Sequence, residues 1–260
     1  MKNKLKLFPA MLLLILLALA GFSFYIPDSQ LAFELPEYRE YLQLPNFHTL
    51  QPEKSRVENF SEFLTPIIEY ENLLIARDRN IIYSLFHKAQ ISSQDSLWLR
   101  EIAQYYKLHC EEFSSSELEE LYLRVDIIPR DLVLAQAAIE SNWGSSAFAQ
   151  KHNNLFGTRT NSRKHGVVPK KRSEGSSFRV ASYRTVNQSI RSYLRNLNTH
   201  SAYQDFRLAR RQMRQSSVPI DAWQLSEHLT AYSTLGYEYV KIIQRTLRNY
   251  QTKFQNKQYR

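Results

Sequence analysis

Apolar and polar positions divide the chain into segments of different character. From Leu7 to Ile26 the residues are almost all apolar and none is charged, while Lys2, Lys4 and Lys6 precede them. About twenty apolar residues are enough to cross a bilayer as a helix. Lysines ahead of such a run favour a cytoplasmic N-terminus and an exported remainder. Ala18-Leu19-Ala20 also offers a small-residue cleavage site, so a removed signal peptide and an uncleaved anchor both fit. Apolarity continuing through Phe22, Phe24, Tyr25 and Ile26 favours the anchor. Pro27, Pro36, Pro45 and Pro52 then punctuate 27–54, which reads as a tether between membrane and domain.

Helical periodicity begins at Val57: Val57, Phe60, Leu64, Ile67 and Ile68 recur at three- and four-residue steps. Pro66 is expected to kink or interrupt this helix, with a second running from about Glu71 to Phe86. Leu97, Trp98, Ile102, Tyr105 and Tyr106 predict a third ending near Cys110, and Ser116-Glu117-Leu118-Glu119 has the form of a capping box opening a fourth. Next, Pro129 precedes Asp131-Leu-Val-Leu-Ala-Gln-Ala-Ala-Ile-Glu140, apolar on nearly every face, with Gly144 available to end it. A helix apolar all round is a buried helix.

Periodicity disappears from Asn153 to Val180, where Gly157, Gly166, Pro169 and Gly175 separate short segments such as Gly166-Val167-Val168 and Ser177-Phe178-Arg179-Val180, predicting a small β-hairpin lobe at about 158–182. Thr185-Val186-Asn187-Gln188 has the form of another capping box, and Ile190, Tyr193, Leu194 and Leu197 form one apolar face. Two or three helices follow, one opening near Asp221 and the last running from about Tyr237 through Tyr250. The chain is therefore mainly α with a small β lobe. Its parts are a membrane or signal helix over 1–26, the tether, a helical part over 55–128, and a main domain over 129–254.

The net charge of +9 and pI near 9.5 point to anionic surroundings: nucleic acid, anionic lipid or a carboxylate-bearing cell wall. Export removes nucleic acid, and the basic residues form no recognised nucleic-acid module. Cys110 stands alone, which excludes an internal disulfide and a cysteine-rich zinc site. There is no G-x-S-x-G, no phosphate-cradling glycine loop and no H-E-x-x-H, and the seven histidines are scattered. No metal or cofactor is expected.

Carboxylate chemistry remains, and candidates are few, because Glu174 is the only acidic residue between Glu140 and Asp205. Glu140 stands at the end of the buried helix, where desolvation and the helix dipole both disfavour its charged form. That is what a general acid needs near neutral pH. Glu174 follows Lys170-Lys171-Arg172, whose charge favours ionisation. Two carboxyls pushed in opposite directions are the arrangement of glycosidic bond cleavage. Against this, Glu140 reads as a helix-end glutamate reaching solvent and Glu174 as an ordinary turn residue.

Gln136-Ala-Ala-Ile-Glu140-Ser-Asn-Trp143-Gly144-Ser, followed by Asn153-Asn154-Leu155-Phe156-Gly157, closely resembles the signature of glycoside hydrolase family 73, and the arrangement around Phe63-Leu-Thr-Pro-Ile-Ile is most similar to its Bax-type branch. The resemblance covers about Ser55 to Asn249. It implies a lysozyme-like helical fold, a mobile β-lobe and hydrolysis of the β-1,4 bond after N-acetylglucosamine in peptidoglycan glycan strands, which the exported, lysine-led N-terminus would place in the periplasm at the inner membrane. Glu140 would be the general acid and Trp143 a packing residue of the motif beside the substrate. Asn154 and Phe156 would line or shape the cleft floor. Tyr232 and Tyr239, in a segment resembling the family's Y-A-T-x-x-x-Y-A-x-K, would orient substrate or water, or simply pack. Only Glu174 can fill the place of the lobe's second carboxylate, although the lobe around it matches poorly. A base at Glu174 and the substrate's own N-acetyl oxygen both remain open as the second catalytic group. A lytic transglycosylase and a catalytically weak wall-binding module are the competing functions, the first disfavoured because Asn-Leu-Phe-Gly stands where a G-L-M-Q-type stretch is usual.

Overall fold

The computed structural model describes residues 35–254 apart from 48, 52, 111 and 169–177. The apolar run over 7–26, with its anchor and cleavage alternatives, and Glu174 lie outside the described residues. The described chain is mainly helical: α1 (Arg56–Phe86), α2 (Ser93–Tyr105), α3 (Ser115–Arg124), α4 (Arg130–Ser141), α5 (Ala147–His152), a small sheet, α6 (Val186–Thr199), α7 (Gln204–Gln215), α8 (Ala222–Ser226) and α9 (Tyr237–Phe254). Short 3-10 turns cover Ser201–Tyr203 and Thr230–Tyr232. Among the described residues no helix is long and apolar enough to cross a membrane.

The two helices expected on either side of Pro66 are one. A capping box between Ser55 and Glu58 opens α1, which continues through Pro66 to Phe86. Proline removes one backbone donor and leaves the carbonyl four residues earlier without its partner. That residue, Glu62, is exposed like Pro66, so water reaches the carbonyl, while Leu64, Ile67 and Ile68 are buried and hold the helix to the core. The helix expected to be capped at Ser116, α3, begins two residues earlier than the sequence suggested. Its cap is Ser114, whose Oγ accepts from the Ser116 amide.

The expected burial of α4 holds from Leu132 through Ala138, Gln136 included, with Ile139 and Glu140 half-buried. It lies against α1, α8 and α9, and α1 in turn packs on α3 and α6. One hydrophobic cluster extends from Phe60 on α1 through α4 and α6 to Leu247 on α9, so the stretches over 55–128 and 129–254 share a core.

The stretch read as a tether is, over Arg39–Phe47, part of the folded body. Leu44 and Phe47 are buried, each contributing about 2 kcal/mol of apolar burial. Backbone and side chains lace the segment down. The Tyr41 amide donates to Asn187 Oδ1 at 3.0 Å, the Val186 amide to the Tyr41 carbonyl at 2.8 Å, and Asn153 Nδ2 to the Leu42 carbonyl at 2.8 Å. Proline spacing and scattered charge could not reveal this, because the hydrogen-bond partners Asn153, Val186 and Asn187 lie more than a hundred residues away in the chain.

The lobe has three strands, not the two of a hairpin: β1 (Arg159–Thr160), β2 (Gly166–Val167) and β3 (Arg179–Ala181), with β3 in the middle and both pairings antiparallel. Arg159 faces Val180 and Gly166 faces Ala181.

Candidate active site

Glu140 is the penultimate residue of α4, and the turn after it is unusually constrained. Asn142, Trp143 and Gly144 all take left-handed backbone conformations, at φ 50°, 54° and 73°. Left-handed residues cost energy unless glycine or asparagine supplies them, so the turn must be held from outside. The buried Ser141 does part of this: its hydroxyl donates to the Ala137 carbonyl and accepts from the Gly144 amide at 2.8 Å. Gly144 is required on a second count, since a Cβ there would stand 2.4 Å from Cε2 of Phe47. Trp143 turns toward α1 and packs edge-on against Phe60, with centroids 5.6 Å apart. The E-S-N-W-G stretch thus ends α4 abruptly and locks its final carboxylate in place.

Around that carboxylate stands a group of tyrosines. The Tyr239 hydroxyl, from α9, donates to Glu140 Oε1 at 2.7 Å. Gln136, one turn before Glu140 on the same face of α4, donates from Nε2 to the Tyr239 oxygen at 3.1 Å, and the Tyr193 hydroxyl from α6 donates to Gln136 Oε1. The rings of Tyr232 and Tyr239 are parallel within 3° at 5.4 Å, and Phe156 stacks on Tyr193 at 4.0 Å. The Tyr232 hydroxyl donates to the Phe156 carbonyl at 3.2 Å. The other oxygen of Glu140, Oε2, faces Gly157: a Cβ on that glycine, whose φ is +63°, would lie 3.3 Å from it.

Burial raises the Glu140 pKa above the ordinary glutamate value, and the hydrogen bond from Tyr239 opposes that rise without cancelling it. Burial likewise raises Tyr239, and the adjacent Glu140 charge reinforces the effect, so this phenol stays protonated and available as a donor. Among the described residues no second carboxylate acts on Glu140, and no group of three or more His, Cys, Asp or Glu side chains could hold a metal.

The structure gathers Glu140, Phe156, Tyr232 and Tyr239 at one place. Tyr239 touches the acid, while Phe156 and Tyr232 build the wall behind it. Asn154 is buried with its polar atoms engaged: Nδ2 donates to the Thr158 and Ala181 carbonyls at 3.0 and 2.8 Å, and Oδ1 accepts from the Thr158 amide at 3.0 Å. It fastens the first strand of the lobe to the last. Trp143 stands apart from this group, on the α1 side. Sequence reasoning passed over Gln136 and took Tyr193 for core. A signal was present for Gln136, the only polar side chain between Asp131 and Glu140 and four residues before the acid.

A helical body carrying a small three-stranded lobe, with a desolvated carboxyl at the end of a buried helix and no second carboxylate beside it among the described residues, is consistent with the lysozyme-like fold of a glycoside hydrolase. Comparison with known proteins agrees. The model of the glucosaminidase family, described as mannosyl-glycoprotein endo-beta-N-acetylglucosaminidase, matches residues 115–256. Protein bax of Escherichia coli (strain K12) is 33% identical over 197 residues, covering 75% of this chain and 70% of that protein. Exo-glucosaminidase LytG of Bacillus subtilis (strain 168) is 33% identical over 79 residues, covering 30% of this chain and 26% of that protein. No solved structure matches. The chain belongs to the glucosaminidase family, in the Bax-type branch of glycoside hydrolase family 73, and is a glycoside hydrolase of the endo-β-N-acetylglucosaminidase type.

Proposed function

We propose that this enzyme hydrolyses the β-1,4 bond after N-acetylglucosamine in peptidoglycan glycan strands, with Glu140 protonating the departing sugar oxygen. The observation that carries the reading is the state of Glu140: desolvated, at the negative end of a helix, and holding one hydrogen bond from a phenol that does not ionise. A carboxyl so placed holds its proton to higher pH than an ordinary glutamate and is stabilised by Tyr239 once the proton has left. The positive charge on C1 in the oxocarbenium-like transition state is then met from the other face, by Glu174 activating water or by the substrate's N-acetyl oxygen.

The charged head and apolar run over 2–26 support export to the periplasm and attachment to the inner membrane, and the net charge of +9 suits an anionic wall. No cofactor enters the scheme. Purified sacculi digested with wild type and with Glu140→Gln, followed by mass spectrometry of the new ends, test the reading. The expectation is N-acetylglucosamine at the reducing end with wild type and no turnover with Glu140→Gln. Muramic acid in its anhydro form would identify a lytic transglycosylase instead, and wild-type turnover by Glu140→Gln would remove the acid. Full activity in Glu174→Gln would leave the N-acetyl oxygen as the second group.

A further inference from the structure

The four polar groups that end on Glu140 form a chain with one direction. An amide nitrogen can only donate and an amide oxygen can only accept. Because Gln136 Nε2 faces the Tyr239 oxygen at 3.1 Å, that oxygen is an acceptor there, and its single hydrogen goes to Glu140 Oε1 at 2.7 Å. Because Gln136 Oε1 faces Tyr193, the Tyr193 hydroxyl is the donor that starts the chain. Oε1 therefore receives a hydrogen bond in either protonation state of Glu140. When the acid is neutral its own proton sits on Oε2, the oxygen that faces the bare Cα of Gly157.

We propose that the Tyr193 hydroxyl is a positioning group for the reaction, which acts through Gln136 and Tyr239 to keep the transferable proton of Glu140 on Oε2, and that the glycosidic oxygen approaches from the Gly157 side. This rests on Glu140 being the acid. The step itself breaks the Oε2–H bond and the glycosidic C1–O bond, whose electron pair stays on the departing oxygen as it takes the proton, while the carboxylate left behind keeps the hydrogen bond from Tyr239 on Oε1. The alternative is a flipped Gln136 amide. Its oxygen would then take the Tyr239 hydrogen, and a protonated Glu140 could donate from Oε1 back into the protein, away from substrate. With Tyr193 present the flipped amide strands a buried phenol hydrogen, which disfavours it. Without that hydroxyl nothing selects the productive direction.

Tyr193 and Gln136 are both buried, so neither reaches substrate directly. Among the described residues the titratable groups around Glu140 are Tyr193, Tyr203, Tyr232 and Tyr239, and burial raises each of them above the ordinary tyrosine value. Each is held protonated to higher pH than a free tyrosine, so a shift of the alkaline limb reports Glu140 rather than these phenols.

The test is Tyr193→Phe, which removes one oxygen and keeps the ring stacked on Phe156, with Gln136→Met as the second variant. Activity on purified sacculi is followed against pH, beside Glu140→Gln and thermal melting. Tyr193→Phe is expected to lose roughly tenfold in kcat with KM held within about twofold, because one buried hydrogen bond that orients the donor is gone. Its alkaline limb should move to higher pH, because the carboxylate loses part of its Tyr239 donation. Gln136→Met should change in the same two ways. A loss of kcat with an unmoved limb in both variants means a purely structural role and overturns the proposal, as does a wild-type profile in both. If Glu140→Gln keeps wild-type turnover, the acid assignment fails, a result distinguishable from either.

Discussion

Tyr239 on α9 and Glu140 at the end of α4, 99 residues apart in sequence, meet through a hydrogen bond of 2.7 Å from phenol to carboxyl. That contact strengthens as the acid releases its proton, since hydrogen bonds to a charged acceptor are about twice as strong as neutral ones. It therefore favours the transition state over the bound substrate. Tyr239→Phe is expected to lower kcat roughly ten- to a hundredfold with little change in KM. Its alkaline limb should rise, because the interaction that lowers the Glu140 pKa is removed. A pH series of initial rates on sacculi checks both.

Glu140 itself should weaken the fold as it ionises. Its folded pKa lies above the ordinary value of 4.5, mainly through burial, so its relative stabilisation is complete below that value and is lost as pH rises through the folded pKa. Glu140→Gln keeps an oxygen for Tyr239 and never ionises. It should therefore melt higher than wild type at neutral pH, with the difference vanishing in acid. Equal melting temperatures across that range would mean the carboxyl is well solvated.

The opposite sign applies at Asp126, which is buried between Arg79, Arg210 and Arg214. Burial opposes its ionisation, yet the three arginine charges hold its pKa below the ordinary 3.8. Its contribution is present above that value and is lost as pH falls through the folded pKa. Asp126→Asn leaves buried guanidinium charge uncompensated and should cost about 3 kcal/mol at neutral pH. Urea unfolding at pH 7 and pH 3 should show that difference shrinking in acid.

Gly144→Ala is expected to destabilise by at least about 2 kcal/mol, from the left-handed backbone and from the collision with Phe47. Phe47→Ala combined with it should recover part of the strain in a double-mutant cycle, because the obstructing ring is gone. Independent, additive losses would show that the contact is not what excludes a side chain.

Removing the segment before Ser55 tests whether Arg39–Phe47 belongs to the folded body. A chain beginning at Ser55 should melt well below one beginning at Leu35, having lost Leu44 and Phe47 from the core and the hydrogen bonds to Asn153 and Asn187. Similar melting of the two chains would restore the tether.

Several elements were legible because their signals are local. The all-apolar face of α4, the caps at Thr185 and Asp221, and the loss of periodicity over the lobe all follow from neighbouring residues. Helix α7 was not located, for a physical reason. Its sequence is dense in arginine, and the side chains of Arg207 and Arg210, polar by any pattern, are buried against carbonyls of other elements. Pro66 misled for a related reason, since its cost depends on whether the orphaned carbonyl faces water.

The amino-acid sequence by itself determined that one carboxylate ends a buried helix and is followed by a serine, a left-handed-tolerant asparagine and a glycine, because burial periodicity and backbone preference are properties of adjacent residues. Only the tertiary structure decided which oxygen of that carboxylate is occupied. The hydrogen comes from Tyr239, its direction from Gln136 and Tyr193, and these lie on three different helices whose meeting depends on long-range packing.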